Sequence, residues 1–503
     1  VKVKFDIVNQ NRITVSSDSN LNNVTVLVTG KIEITENPLV IVFERGLLTL
    51  MGIKNISIQL NESNGTNMPG YLNKTKFLGS VNHDHVMAPG WPFILGIQDP
   101  DFPDLAIRNQ WITLDSALNT PYAMSYTETF TLRSNIEPLP GMKIDVTATR
   151  TYGRRMNEYY IPDPATGDFY QQNGDYIGQN RQISGNFNMS FNSFHTAFDK
   201  MDGENKSEAF ARFRTIRADI AARLAAENPF TTTNDTAFPA GYGENSQDVL
   251  LPAFIAAYSG SDQNRVSLKT IPGILAIKPN WRVTYDGLSK IEKVKQYFKS
   301  MNLNHAYTSN YSIGGYVGNL NFVDKKDGFT NQVDQAGNFL TRYEVGQVSF
   351  NETFSPLLGV DATLKNSMIV KLEFKRSRTV SLSLVSSQIT ENRGKEFVVG
   401  TGYRFDQIPI QLAGKKRVSD LNVRFDLSVR DNATYLRKII ENQEEVTSGM
   451  RNFAIKSSAD YNLSSNLLVR IFFDYTLDTP KTSQGYKMTK ALFGFTLNLT
   501  MGA

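Results

Sequence analysis

Apolar and polar residues alternate along most of this chain. The clearest example spans residues 421–430, where Leu421, Val423, Phe425, Leu427 and Val429 alternate with Asn422, Arg424, Asp426, Ser428 and Arg430. Successive side chains of a β-strand point to opposite faces of its sheet, so this spacing predicts a strand with one apolar and one polar face. The last segment of the chain, with Phe493 and Phe495 on its apolar face, follows the same pattern.

The alternating segments are long and numerous. We count roughly sixteen to eighteen of them, many of about ten residues or more, which is the length of a tilted membrane-spanning strand. Strands of soluble proteins average only about five or six residues. Between the late strands the sequence predicts short polar turns at Ser377-Arg378 and at residues 431–433, and longer loops at residues 388–395 and 476–485. The pattern therefore predicts an all-β fold, a transmembrane antiparallel β-barrel.

The middle of the chain interrupts the alternation. Residues 206–227 carry apolar side chains at helical spacing, and Asn228-Pro229 should end that helix. Two further helices are predicted at residues 248–258 and 288–298. We therefore divide the chain into barrel strands with loops (residues 1–194), a folded, partly helical insertion (residues 195–302) and C-terminal barrel strands (residues 303–503).

Composition narrows the possible functions. The chain has no cysteine, which excludes disulfides and thiolate metal sites. Its formal net charge is only +4, from 53 basic and 49 acidic side chains, so we expect no nucleic-acid partner. Aromatic residues are abundant, with 31 Phe, 21 Tyr and 3 Trp, as in the aromatic girdles of a barrel. The chain begins at Val1, so we expect a piece of a longer protein.

Candidate catalytic and metal-binding groups are weak. His83 and His85 have the spacing of two metal ligands on one strand face, but no third ligand accompanies them. Asp99, Asp101 and Asp104 could pair for acid–base work or calcium binding, although prolines among aspartates more often make a rigid turn. Nucleophile elbows and phosphate-binding glycine loops are missing from the sequence. We expect no catalytic residue, metal or cofactor, and no enzyme activity.

Four sequence blocks resemble a known family. They are the run from Ala88 to Phe102, the stretch from Trp111 to Tyr160, the segment from Leu251 to Tyr258, and the segment from Pro279 to Leu288. These blocks resemble the SprA (Sov) family of Bacteroidota, and the similarity extends through essentially all 503 residues. The chain is far shorter than a full family member, so the resemblance implies the C-terminal arc of a very large single-chain barrel.

The resemblance implies a function in protein secretion. Members of this family form the outer-membrane translocon of the type IX secretion system, a protein-conducting channel for folded cargo that includes gliding adhesins. The implied partners are the remainder of the same barrel, a PorV-like outer-membrane barrel, a periplasmic plug protein, secreted cargo proteins and the lipid membrane. The implied location is the cell outer membrane, and the channel supports gliding motility as well as secretion.

A conduit needs a polar lining and an apolar belt rather than catalytic groups. We expect the lumen-facing residues to be Asn422, Arg424, Asp426, Ser428 and Arg430. We expect the lipid-facing residues to be Leu421, Val423, Phe425, Leu427, Val429, Phe493 and Phe495. Two alternatives remain open at this point, namely a stand-alone outer-membrane porin that passes small solutes and a surface β-rich adhesin.

Overall fold

The chain divides into two compact units, Val1–Leu50 and Met51–Ala503. The computed structural model describes residues 3–9, 12–18 and 52–500, apart from gaps at 77, 79, 84–85, 173, 203–204, 233–236, 413–414, 465 and 484. In the first unit, strands β1 (Val3–Asn9) and β2 (Arg12–Ser17) form an antiparallel hairpin. All further elements belong to the second unit.

The second unit is built on one large antiparallel sheet, with thirteen strands in the described part of the chain. The strands of this unit are β3 (Ile53–Asn67), β4 (Val81–His83), β5 (Val86–Ala88), β6 (Tyr122–Leu139), β7 (Met142–Tyr159), β8 (Gln171–Gln172), β9 (Asp175–Tyr176), β10 (Gln179–Ser190), β11 (Asn280–Tyr285), β12 (Phe298–Gly318), β13 (Tyr343–Leu364), β14 (Ile369–Ser383), β15 (Gln388–Leu412), β16 (Lys415–Lys438), β17 (Gln443–Ser464), β18 (Leu467–Pro480) and β19 (Met488–Leu499). The pairs β4–β5 and β8–β9 are separate loop hairpins.

Strand order in the sheet follows chain order. It runs β3, β6, β7, β10, then β12 through β19, and each neighbouring pair is antiparallel. Among the described residues, β3 and β19 each pair on one side only, so the sheet has two open edges. This architecture confirms the predicted all-β, barrel-like fold.

The two rims of the sheet differ in the length of their connections. At one rim at most four residues join β6 to β7, β13 to β14, β15 to β16 and β17 to β18. The opposite rim carries the longest connections, residues 68–121 and 319–342, together with four-residue turns at 384–387 and 439–442. We call these the short-turn rim and the long-loop rim. The last strand, β19, runs toward the short-turn rim, because Leu499 pairs with Leu467 beside the turn that follows β17.

The helices are short except for two. They are α1 (Trp91–Ile94), α2 (Phe102–Arg108), α3 (Glu208–Glu227), α4 (Gln247–Ser259) and α5 (Glu292–Lys295). The predicted helices at residues 206–227 and 248–258 correspond to α3 and α4. The third predicted helix, at residues 288–298, is instead a 3₁₀ turn (Gly287–Lys290) followed by the single turn of α5.

The insertion leaves the sheet in the middle of a strand position. Strand β10 lies between β7 and β12 in the half near the long-loop rim, and β11 takes the same place near the short-turn rim. The peptide N–H of Lys278 donates to the carbonyl of Ser190 at 3.2 Å and so joins the two halves. Of the predicted insertion at residues 195–302, β11 and the first residues of β12 therefore lie within the sheet.

Helices α3 and α4 pack on one face of the sheet and bury the main hydrophobic core. Every residue of α4 from Val249 to Ser259 is buried, because the helix lies between α3 and the strands. Phe254 stacks on Phe350 of β13 with ring centroids 4.9 Å apart. The sheet contributes apolar side chains from five strands to this core, including Phe187, Tyr311, Phe350, Val380 and Ile389. The insertion is thus packed firmly on the sheet and is not a free loop.

A side-chain cap fixes the start of α3, and its contribution to the stability of that helix can be measured. Ser207 Oγ accepts a hydrogen bond from the peptide N–H of Phe210. Ser207→Ala removes this acceptor and should cost about 1 kcal/mol of helix stability. Hydrogen exchange of the α3 amides would measure the loss. Thr215→Ala, in the exposed middle of the same helix, is the control and should leave exchange nearly unchanged; equal exchange in the two variants would contradict the cap.

Two of the predicted turns are wrong. Ser377-Arg378 lies inside β14 and residues 431–433 lie inside β16, and the predicted loop at residues 388–395 is the first third of β15. These segments look like turns because charged side chains interrupt the apolar alternation there. Strands of up to 25 residues result, and some of the predicted segments, such as those on either side of Arg378, belong to one strand.

Candidate membrane-spanning wall

Strand β16 separates the two predicted sets of site residues by face. Its register with β15 and β17 is unbroken from Leu421 to Arg430, so odd and even positions point to opposite sides. The odd positions share the face on which the insertion packs. Arg437, further along β16, contacts Glu444, which in turn accepts from the peptide N–H of Ser207 at the start of α3. The predicted lipid-facing and lumen-facing residues thus lie on two different faces of one strand, which we call the apolar face and the polar face.

An exposed apolar band crosses the apolar face on the half of the sheet near the short-turn rim. Direct cross-strand partners form it, as where Leu372, Val399 and Leu427 follow one another across β14, β15 and β16. Other members are Ile56, Ile58, Leu60, Phe374, Phe397, Phe425, Ile455, Ile471, Phe473, Phe493 and Phe495. Phe425 is 39% exposed and Phe493 is 72% exposed. Monomeric soluble proteins rarely expose a continuous apolar patch of this extent, which is typical of a lipid-facing surface.

At the same height the polar face carries charges of both signs. Glu373 lies between Lys371 and Lys375, with each ammonium 3.0 Å from a carboxylate oxygen. Arg470 makes a two-bond contact with Asp460 at 2.6 and 2.9 Å. Adjacent opposite charges neutralise one another, so this face presents no strong field of a single sign. The arrangement suits a wet lining.

Nearer the long-loop rim, hydroxyl and amide side chains occupy the polar face of β12 to β15. Hydroxyl and amide side chains there bond across strands, as between Ser312 and Ser349 at 2.8 Å and from Thr379 to Asn351 at 2.8 Å. A Cβ placed at Gly314 would meet no atom within 4 Å, so the space in front of this face is open. The polar face thus has a charged tier and a neutral tier.

A buried ionic layer separates the apolar band from the helical insertion. Arg437, with no exposed surface, contacts Glu391 at 2.7 Å and Glu444 at 2.8 Å. Arg378 contacts Glu352 at 3.2 Å and donates to the Thr196 carbonyl at 2.8 Å. These side chains lie on the apolar face, where charges are stable only when they are paired.

The ionic layer also binds residues 193–199, which lead from β10 into the insertion. Glu352 accepts hydrogen bonds from Ser193 Oγ at 2.8 Å and from the Tyr307 hydroxyl at 2.9 Å. Arg393 donates to the carbonyl of Asp199 at 2.9 Å. Burial raises the pKa of the Asp199 carboxyl, while the nearby Arg212 guanidinium opposes that rise. Sequence reasoning missed this layer because it interpreted Ser377-Arg378 as a turn and residues 388–395, which include Glu391 and Arg393, as a loop. Apolar residues that continue with the same parity on both sides of Arg378, namely Phe374 and Val380, were the available signal.

The weak candidates for chemistry have structural roles where they are described. Asp104 contacts Arg108 at 2.7 Å, and this guanidinium lowers the pKa of the Asp104 carboxyl. Asp99 accepts from the peptide N–H of Asp101 at 2.9 Å, as in a turn. His83 is the last residue of β4, whereas its predicted partner His85 and the intervening Asp84 lie outside the described residues.

Within the described ranges, no group of three or more His, Cys, Asp or Glu side chains is arranged to hold a metal ion. No described helix is both long and apolar enough to cross a bilayer.

Comparison with known proteins identifies no family and gives a weak structural similarity. No protein-family model matches the chain, and the search of the curated proteins gives no match. Among solved structures, an anion-selective porin from Comamonas acidovorans is similar at 8% sequence identity and a TM-score of 0.11, over 77% of this chain and 94% of that chain. A similarity this weak says nothing about the activity of this chain.

Proposed function

We propose that this chain is an arc of the outer-membrane protein-conducting channel of the type IX secretion system, as in the SprA family. The observation that carries the membrane assignment is the exposed apolar band on one face of strands whose other face is charged. In lipid every backbone polar group must be satisfied internally, and a closed sheet does this. The secretion assignment rests on the four sequence blocks.

We propose an arc of a larger barrel rather than a complete small barrel. Within the described residues β3 and β19 each pair on one side only. Strand edges must be paired in lipid, and in this proposal other strands of the large barrel pair with the edge of the arc. A very large barrel would enclose a pore wide enough for folded cargo, lined by the charged and neutral tiers of the polar face.

The resembling blocks coincide with the unusual parts of this fold. The segment from Leu251 to Tyr258 is most of α4, and the segment from Pro279 to Leu288 contains β11, so two blocks build the split-strand insertion. The block from Ala88 to Phe102 contains α1 and lies in the loop between β3 and β6. These are not generic barrel features, which supports the family resemblance over an ordinary porin.

The rims suggest an orientation. Outer-membrane barrels have short periplasmic turns and longer extracellular loops. On this rule the short-turn rim faces the periplasm, and the insertion lies on the extracellular side of the band. We propose the partners that the family implies: a PorV-like barrel, a periplasmic plug protein and secreted cargo. The adhesin alternative is disfavoured because the apolar band would be exposed to water.

Conductance in a planar bilayer tests the channel. The intact protein, with any preceding strands present and the plug removed, should pass a current well above that of a porin measured in the same bilayer, because the pore must admit a folded protein. A porin is the matched control. A porin-sized current would favour the stand-alone porin and contradict a protein-conducting pore.

A further inference from the structure

The insertion stands on the sheet by two legs, and both expose apolar side chains. The first leg, residues 191–198, leaves the end of β10 and exposes Phe194 (39%) and Phe198 (42%). The second leg, residues 271–279, returns to β11 through a 3₁₀ turn that exposes Ile274 (42%) and Leu275 (99%). Four large apolar side chains in water are unfavourable.

The first leg lies at the edge of the apolar band that is nearer the long-loop rim. The Phe194 ring contacts Phe354 of β13 with centroids 5.8 Å apart, and Phe198 contacts the same ring at 5.4 Å. Phe354 pairs across the sheet with Arg376, whose guanidinium lies 4.8 Å from the centre of the Phe198 ring. Phe374 of the band lies on the same face of β14, two residues before Arg376 and nearer the short-turn rim.

The second leg contacts strand β7 at the same edge of the band. Arg150 Nη2 donates to the carbonyl of Pro272 at 3.4 Å. Arg150 pairs with Phe130. Two residues nearer the short-turn rim, Ala148 pairs with Leu132, so the apolar band on β6 and β7 begins at this point. Both legs therefore meet the sheet where the exposed apolar band ends.

We propose that Phe194, Phe198, Ile274 and Leu275 form a membrane-contact surface, the foot of the insertion, which rests in the interfacial layer of the bilayer. The occupant is lipid, because this surface is continuous with the apolar band that meets lipid in the proposed function, on which the inference depends. Exposed Lys200 and Lys278 flank the two legs, and lysines beside aromatic and aliphatic groups are typical of membrane interfaces.

Site-directed spin labelling tests the foot directly, since the chain contains no cysteine. A nitroxide on Leu275→Cys, in the intact protein in phospholipid nanodiscs, should be more accessible to oxygen than to a water-soluble nickel complex. Phe425→Cys, in the middle of the band, reports on the proposed function itself. Val385→Cys, 86% exposed at the long-loop rim, is the water control and should show the opposite preference. Ile274→Cys provides a second label on the same leg.

The outcomes separate the two proposals. We call greater accessibility to oxygen lipid-type and greater accessibility to the nickel complex water-type. Lipid-type accessibility of the labels at Phe425→Cys, Ile274→Cys and Leu275→Cys supports the foot. Water-type accessibility at the foot positions, with lipid-type accessibility at Phe425→Cys, overturns the foot and leaves the membrane-spanning band intact. Immobile foot labels that neither reagent reaches would identify a protein neighbour as the occupant and overturn the lipid assignment. Water-type accessibility at Phe425→Cys overturns both proposals.

Discussion

Phe425→Arg is expected to weaken insertion of the protein into a bilayer by about 2–4 kcal/mol, the cost of a cation on the lipid face near the midplane of an outer-membrane barrel. Phe425 lies at the centre of the apolar run from Leu421 to Val429 on β16, so its side chain has the greatest depth on that strand. Equilibrium folding into lipid vesicles, followed by guanidinium titration, would measure the loss of free energy.

The matched control is Asn422→Arg, three residues away on the polar face of the same strand. Its new charge would enter a lining that already contains Arg424 and Asp460 and should be tolerated, with a change in folding free energy below about 1 kcal/mol. If both variants folded into vesicles equally well, the assignment of the two faces would be wrong.

Arg437→Met is expected to destabilise the attachment of the insertion to the wall by about 3–5 kcal/mol, because it leaves buried charges without their partner. Arg437 is completely buried between Glu391 and Glu444. Glu444 also accepts from the peptide N–H of Ser207 at the start of α3, so the change acts at the junction of sheet and helix. Hydrogen exchange and limited proteolysis of α3 and α4 would measure the loosening.

Two further variants make this prediction specific. Arg451→Met removes an exposed cation that contacts Asp431 at 3.2 Å, also at the ionic layer, and should cost at most about 1 kcal/mol. Glu444→Gln in the Arg437→Met background should recover part of the loss, because it removes a buried carboxylate that has lost its cation and keeps an oxygen that accepts from the Ser207 N–H. Similar protection in the Arg437→Met and Arg451→Met proteins would contradict an essential role for the layer.

The faces of the strands were predictable because they depend on local geometry alone. A strand turns successive side chains by half a revolution, so the alternation from Leu421 to Arg430 already assigned each residue to a face. The helices α3 and α4 were predictable for the same reason, from apolar positions at helical spacing and a stop at Asn228-Pro229. The third predicted helix was wrong because a short charged segment satisfies helical spacing by chance.

Strand length could not be read from the pattern. The apolar face of each long strand changes its environment along its length, from the exposed band through the ionic layer to the covered core. At the layer, Arg378 and Arg437 are stable on an apolar face only because Glu352 and Glu391 reach them from neighbouring strands. In a linear sequence such charges resemble the polar residues of a turn, so one strand was divided into two.

By itself, therefore, the sequence determined the all-β class, the face of each side chain, the presence of a helical insertion and the absence of thiol chemistry. Tertiary structure alone decided where the strands end, that the insertion divides one strand position into β10 and β11, and that it stands on the apolar face. The physical reason is the separation along the chain over which each interaction acts. Alternation and helical spacing act between neighbours in the chain, whereas charge pairing, strand partners and the covering of an apolar face join residues that are far apart in it.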